Sequence, residues 1–121
     1  GILDTAPLPV WLRDADGDLL WANAAWLEAL EQEDLDVAAA AGLQLVKPED
    51  MRLVHRDEKT GLSVLHGSTV IRGEKRILEG HEMPQEGGVA CWAVDITNVH
   101  RLREELKNHI AAHTGTLDRL L

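Results

Sequence analysis

Two histidines near the C-terminus, His109 and His113, have the spacing that best fits metal binding in this sequence. Four residues apart on a helix, their imidazoles would face the same side and could share one ion. Residues 110–112 between them include no glutamate of the kind that works beside the zinc-binding histidines of a metalloprotease, and no third ligand is evident. We therefore expect polar histidines near a helix interface rather than a metal centre. If they lie on that interface, protonation would place like charges together and make association depend on pH.

Acid–base and nucleophilic chemistry also find little support in the sequence. Glu79 and Glu82 flank His81 on a predicted strand, where alternating charged side chains are typical of a solvent-exposed face. No serine, cysteine or carboxylate pair shows the spacing of an activated nucleophile, and no glycine-rich loop is of the phosphate-binding type. The sequence therefore predicts that this segment is not an enzyme.

The single cysteine, Cys91, lies within an apolar run. It is expected to be a small buried packing residue, with redox sensing as the alternative. One cysteine allows no internal disulfide, which is compatible with a reducing cytosol. No apolar run reaches the length of a membrane span and no signal peptide is evident, so the prediction is a cytoplasmic segment without membrane contact.

Size and charge limit the possible partners. The 121 residues, 45% of them hydrophobic, suffice for one compact domain with a core. Residues 1–96 contain 18 acidic and 8 basic side chains, whereas residues 97–121 contain 3 and 4. Such an acidic body repels phosphate backbones, which argues against a nucleic-acid partner. The change in charge predicts a domain over residues 1–96 and a separate unit over residues 97–121.

The first half of the chain predicts a hairpin followed by short helices. Residues 10–13 and 19–22 are expected to form strands around the turn at Gly17. Asn23 is a good N-cap for a helix over residues 24–30, and a second helix is expected over residues 33–41. A third helix is expected from Pro48; the apolar residues of its expected face are Met51, Val54, Leu62 and Leu65.

In the second half of the chain, the hydrophobic pattern changes to the two-residue alternation that is typical of β-strands. Residues 69–71, 76–79 and 89–96 are expected to be strands, which with the first hairpin give an α+β fold with a five-stranded antiparallel sheet and a block of short helices on one face. In the last strand Cys91 and Ala93 would face the helical block. Together with Trp26 of the first helix they are the predicted core or pocket residues. Trp92 and Val94 point the other way and are predicted to form an outer-face interface, covered by the N-terminal segment, the long helix or another subunit.

A long helix is predicted from Thr97, which stands where an N-cap is needed. Its stripe is Val99, Leu102, Leu106, Ile110, His113, Leu117 and Leu120. Spacings of three and four residues are typical of a coiled coil, and the alternative is a surface helix that folds back onto its own sheet. Because the helical pattern continues to the last residue, the chain is expected to be a piece of a longer protein.

The order of these motifs resembles that of PAS domains. Residues 7–17 and 20–25 are similar to the opening of that family, where a proline, a strand, an Asp-Gly turn and an Asn-x-Ala helix start recur. Residues 48–50 resemble the acidic start of the longest PAS helix. Asp95-Ile96-Thr97 resembles the Asp-x-Thr element that ends the last PAS strand and starts the signalling helix, so Asp95 and Thr97 are the expected signal junction.

The tail, residues 106–113 with Leu117 and Asp118, further resembles linkers in PAS-bearing bacterial sensor histidine kinases of two-component systems. That resemblance implies a cytoplasmic sensor module that forms a homodimer through the long helix. It also implies a downstream kinase or second PAS domain in the same chain. The phosphate-accepting histidine motif of such kinases is absent from this sequence.

Cofactor binding is the remaining question that the resemblance raises. His55 follows Pro48 on the predicted third helix, an arrangement similar to that of some haem-binding PAS sensors, and histidine is a haem ligand. A solvated histidine among charged neighbours is the competing interpretation. The flavin-binding type of PAS domain has its reactive cysteine in a helix, whereas Cys91 lies in a predicted strand. We therefore expect no cofactor, with a small-ligand or cofactor sensor as the alternative function.

Overall fold

The computed structural model describes residues 1–112. Its strands are β1 Val10–Asp14, β2 Leu19–Ala22, β3 Met51–Arg56, β4 Ser63–Ile71, β5 Glu74–Gln85 and β6 Gly88–Asp95. Its α-helices are α1 Ala24–Ala29, α2 Leu35–Ala40 and α3 Thr97–Ala112, and single 3-10 turns lie at Ile2–Thr5 and Pro48–Asp50.

All six strands belong to one antiparallel sheet in the order β2-β1-β6-β5-β4-β3. The predicted α+β class is confirmed, and the number of five strands is wrong by one. The first and last strands are neighbours inside the sheet, because β1 pairs with β6. This crossover places the strand that leads into α3 next to the strand that opens the domain.

The predicted third helix is wrong, and β3 with β4 takes its place. The chain reverses at a turn in which Asp57 N–H donates to the Leu62 carbonyl at 2.9 Å, and Gly61 there has a φ of +76°. That positive φ suits glycine and would end a helix. Met51 then pairs with Gly67, where an added Cβ would lie 2.9 Å from Met51 Cγ, so the Met51 side chain can occupy its position only because residue 67 lacks a side chain.

The core lies between α1, α2 and the side of the sheet that faces them, here called the inner face. Its buried apolar members are Ala22, Trp26, Ala38, Leu45, Leu78 and Ala93. Trp26 of α1 is fully buried and is the largest of them. The indole of Trp26 thus fills the centre of a core that has no Phe or Tyr, and the partly buried Trp11 packs against it.

Asn23 anchors α1 to the start of the chain. Its Oδ1 accepts hydrogen bonds from the backbone N–H groups of Trp26 and Val10 at 3.1 and 3.0 Å. Its Nδ2 donates to the carbonyls of Leu3 and Leu8, both at 2.9 Å. The predicted N-cap is confirmed, and the same buried side chain also fixes the path of the N-terminal segment.

Candidate signalling junction

The junction between β6 and α3 is built around the side chain of Thr97, which is 6% exposed. Its hydroxyl donates to Asp95 Oδ1 at 2.5 Å and accepts from the backbone N–H of Ile77 in β5 at 2.9 Å. Thr97 N–H also donates to Asp95 Oδ1 at 2.9 Å. Thr97 is thus the first residue of the helix, and its hydroxyl binds the sheet instead of capping the helix. The two residues predicted as a junction are in direct contact and join α3 to two strands.

Arg76 binds the second carboxylate oxygen of Asp95. Its Nε lies 2.9 Å from Asp95 Oδ2, which adds a second link between β5 and β6. Burial by itself raises the pKa of Asp95, but the hydrogen bonds from Thr97 and the charge of Arg76 together lower it below the ordinary value of 3.8. The carboxylate therefore stays ionised at neutral pH and keeps both partners.

The apolar stripe of α3 is exposed in the single chain. Val99, Leu102, Leu106 and Ile110 are 51%, 65%, 56% and 47% exposed. The predicted stripe members His113, Leu117 and Leu120 lie outside the described residues. The helix contacts the sheet mainly at β5, and the exposure of its stripe is not what a helix folded back onto its own sheet would show.

A cavity of about 260 Å³ lies on the inner face. Its walls include Leu65, Leu78 and Ala93 of the sheet and residues 44–46 of the loop after α2. An added Cβ on Gly80, which also lines it, would have no neighbour nearer than 4.0 Å. This space is large enough for a small organic molecule.

The other predicted pocket residues surround the cavity less directly. Trp26 and Cys91 are 0% and 1% exposed and pack in the core without lining it. Burial raises the pKa of the Cys91 thiol to about 11, and the nearby Glu82 carboxylate adds to this shift. His55, expected on a helix beside the pocket, instead lies exposed on β3 and does not line the cavity. The structure therefore gives His55 no position as a ligand there.

The opposite side of the sheet, here called the outer face, carries Trp92 and Val94. Trp92 is half-buried because the imidazole of His81 stacks on it, with ring centroids 5.2 Å apart and an interplanar angle of 1°. Val94 is 41% exposed. The N-terminal segment reaches only the far end of this face, at Leu12 and Trp21.

A cluster on the outer face, here called the His–Glu–His cluster, was missed by sequence reasoning. Glu79 lies between two imidazoles, with Oε2 3.0 Å from His66 Nε2 and Oε1 3.1 Å from His81 Nε2. The hydrogen bond from His66 lowers the pKa of Glu79, and the bond from His81 adds to this effect against the opposing effect of burial. Glu79 and His81, expected to face solvent, are only 33% and 18% exposed, and Glu82 lines the inner-face cavity instead.

Residues 1–112 contain neither a metal-binding group of side chains nor a helix that could span a membrane. No group of three or more His, Cys, Asp or Glu side chains in this part of the chain is arranged to hold a metal ion. No helix in the same range combines the length and the apolar character needed to cross a membrane.

Comparisons with known proteins agree with the sequence resemblance. Residues 1–69 match the sequence profile of a PAS domain. The chain is 27% identical over 119 residues to the sensor protein DivL of Caulobacter vibrioides, an alignment that covers 98% of this chain and 16% of that protein. It shares its fold with the PAS domain from Bordetella pertussis BvgS, with a TM-score of 0.57 and 18% identity over 92% of this chain and 89% of that one. Since the profile covers more than half of its residues, the chain belongs to the PAS domain family.

Proposed function

We propose that the chain is the sensory and dimerising PAS module of a cytoplasmic, signal-transducing histidine kinase. It relays a conformational change through α3 to a kinase or a second PAS domain in the same chain, and has no enzymatic activity of its own. The chain is related to the sensor protein DivL and spans only 16% of that protein. This supports a role as one module of a larger signalling protein. The observation that carries the proposal is the Thr97 hydroxyl, which joins α3 to β5 and β6.

The relay requires that a change in the sheet reach the helix. Arg76 and Ile77 of β5 hold Asp95 and Thr97 at the base of α3. A shift of β5 relative to β6 would therefore alter the first turn of the helix, and a two-helix interface can amplify a small displacement into a change between two packing arrangements.

Hydrogen exchange of the purified chain tests the relay. Thr97→Val keeps the shape of the side chain and removes its hydroxyl, so we expect faster exchange of the Ile77 amide and of the first-turn amides of α3. Thr97→Ser keeps the hydroxyl and is expected to exchange like the natural chain. Unchanged exchange in Thr97→Val would show that the hydroxyl does not couple helix and sheet.

Dimerisation is supported by the exposed stripe of α3, since an apolar stripe with coiled-coil spacing is stabilised by a partner helix. Trp92 and Val94 of the outer face would give a second contact area. We expect sedimentation equilibrium to show a dimer that Leu106→Glu dissociates. Asn108→Glu adds the same charge on the opposite side of α3 and is expected to leave the dimer intact. Equal effects of the two variants would rule out the stripe as the interface.

The inner-face cavity supports a second candidate function, a small-ligand sensor. Native mass spectrometry of the purified chain would then show a retained molecule. Gly80→Val places two methyl groups into the free space beside Gly80 and is expected to abolish retention. Ala90→Val also introduces a valine into the sheet, but on the outer face, and is the control. A measured mass equal to that of the polypeptide alone, under all conditions, would reject the ligand-sensor function.

A further inference from the structure

Strand β3 forms one edge of the sheet. It pairs with β4 on one side, and no strand within residues 1–112 pairs with its other side. All of its residues after Met51 are exposed. Its open side therefore presents backbone N–H and C=O groups to the solvent. An edge of this kind can accept a further extended segment through main-chain hydrogen bonds.

The side chains of β3 give this edge two different faces. Arg52 lies opposite His66 of β4 and therefore on the outer face. Leu53 lies opposite Leu65, which lines the cavity, and therefore belongs to the inner face. Leu53 is nevertheless 50% exposed, because no further strand covers it. An added strand alternates between the two faces, so it would place every second side chain beside Arg52 and the others beside Leu53.

The charge of β3 differs from that of the rest of the chain. The chain has a net charge of −9, but β3 contains Arg52 and Arg56 and no acidic residue. Acidic residues stand before it at positions 49–50 and after it at positions 57–58. A basic strand between acidic ends favours a short acidic segment, because a longer one would meet like charges at both ends. The acidic chain as a whole repels nucleic acid.

A second copy of this chain is a poor occupant of the edge. Two antiparallel β3 strands would bring the arginines of one copy beside those of the other, and like charges across strands destabilise the pairing. Charged side chains on an edge strand protect a sheet against such self-pairing. The protection is selective, because an acidic strand is attracted by the same arginines.

We propose that the open edge of β3 binds a short acidic segment of a partner protein as an added strand. The segment alternates acidic residues, which lie beside Arg52 on the outer face, with apolar residues, which lie beside Leu53 on the inner face. Main-chain hydrogen bonds give the affinity, and the side chains give the selection. The proposal goes beyond the dimer and the ligand sensor described above, because neither the α3 stripe nor the cavity supplies these binding groups.

Synthetic peptides with a fluorescent label test the proposal by anisotropy. The probe is a capped peptide of alternating glutamate and valine, six residues long like β3. One control has the same composition with all glutamates before all valines, and another has the alternating sequence with every backbone nitrogen methylated. We expect saturable binding of the probe and at least about tenfold weaker binding of both controls, since the first loses the two faces and the second loses the donors.

A charge exchange tests the role of Arg52. Arg52→Glu should weaken binding of the glutamate–valine peptide at least about tenfold and should create binding of a lysine–valine peptide, which the natural chain does not bind. The new binding also shows that the variant is folded. Lys107→Glu makes the same change of charge on the exposed surface of α3 and is expected to leave both affinities as they are in the natural chain.

Hydrogen exchange of the natural chain locates the bound peptide. The probe should slow exchange of the β3 amides that point away from β4. A chain that binds no probe at millimolar concentration would overturn the proposal. Equal binding of the methylated peptide would also overturn it, because attraction of charges alone would then explain the association. Slower exchange in another strand, with β3 unchanged, would reject β3 as the site.

Discussion

The side-chain amide of Asn23 donates a hydrogen bond to the carbonyl of Leu3 at 2.9 Å, across twenty residues of chain. The same side chain receives the N–H of Trp26 in the first turn of α1. Helix α1, which carries the fully buried Trp26, and the N-terminal segment are therefore held by one polar group that is 1% exposed. A buried amide with partners on both its oxygen and its nitrogen fixes one arrangement of the elements around it.

Replacement of Asn23 is expected to destabilise the domain. Asn23→Ala leaves buried backbone groups without partners, and we expect a loss of about 2–4 kcal/mol in the free energy of unfolding. Asn23→Asp keeps the acceptor for Trp26 and Val10 but turns an oxygen toward the Leu3 and Leu8 carbonyls, so it also destabilises. Urea unfolding measures both variants. A loss within experimental error for Asn23→Ala would mean that the four bonds contribute no net stability.

Acid is expected to weaken the domain through Asp95 and Glu79. Both carboxyl groups have a pKa lowered in the folded chain, from ordinary values of 3.8 and 4.5. The unfolded chain therefore binds protons first as the pH falls. The stabilisation is complete above the ordinary values and is lost as the pH drops through the folded ones, a window that begins near pH 4.5.

The urea midpoint as a function of pH tests this expectation. The natural chain should lose stability below about pH 4.5. Asp95→Asn removes one of the contributing groups, so its curve should start lower at neutral pH and fall less steeply in acid. Parallel curves for the two proteins would show that Asp95 does not contribute to the acid response.

The predictable parts of this fold are those with local signals. The hairpin around Gly17, the helix after Asn23 and the helix from Thr97 follow from turn chemistry, capping and periodicity. The third helix was predicted wrongly because Met51 and Val54 have helical spacing. In the structure β3 contains an irregularity between Leu53 and His55, which interrupts the alternation that would have indicated a strand.

Contacts between strands account for the features that sequence reasoning missed. His66 and Glu79 meet because β4 and β5 pair in one register, and His81 meets Trp92 because β5 and β6 pair in another. A shift of one residue would send these side chains to the opposite face, and the sequence gives no local sign of the register. The cavity likewise depends on the loop before Pro48, whose buried Leu45 has no periodic pattern around it.

Variants of Trp26 test how much of its contribution to the free energy of unfolding comes from packing. Its indole Nε1 is buried and has no hydrogen-bond partner within residues 1–112. Trp26→Phe therefore gives up ring volume but no hydrogen bond, and removal of an unpaired donor offsets part of the cost. We expect a loss of about 1–2 kcal/mol for Phe against about 3–5 kcal/mol for Trp26→Ala, measured by thermal or urea unfolding. Equal losses would point to a polar role for the indole nitrogen.

Cys91 is expected to be unreactive in the folded chain. Its thiol is 1% exposed, and burial raises its pKa to about 11, whereas the reactive form is the thiolate. At pH 8 a disulfide reagent should therefore label the thiol slowly in buffer and rapidly in urea, with the native rate increasing toward high pH. Cys91→Ala should cost little stability, and Cys91→Ser should cost more because it buries a hydroxyl in the same place. Rapid labelling of the folded chain at pH 8 would instead support redox sensing, because only an accessible thiolate reacts at that rate.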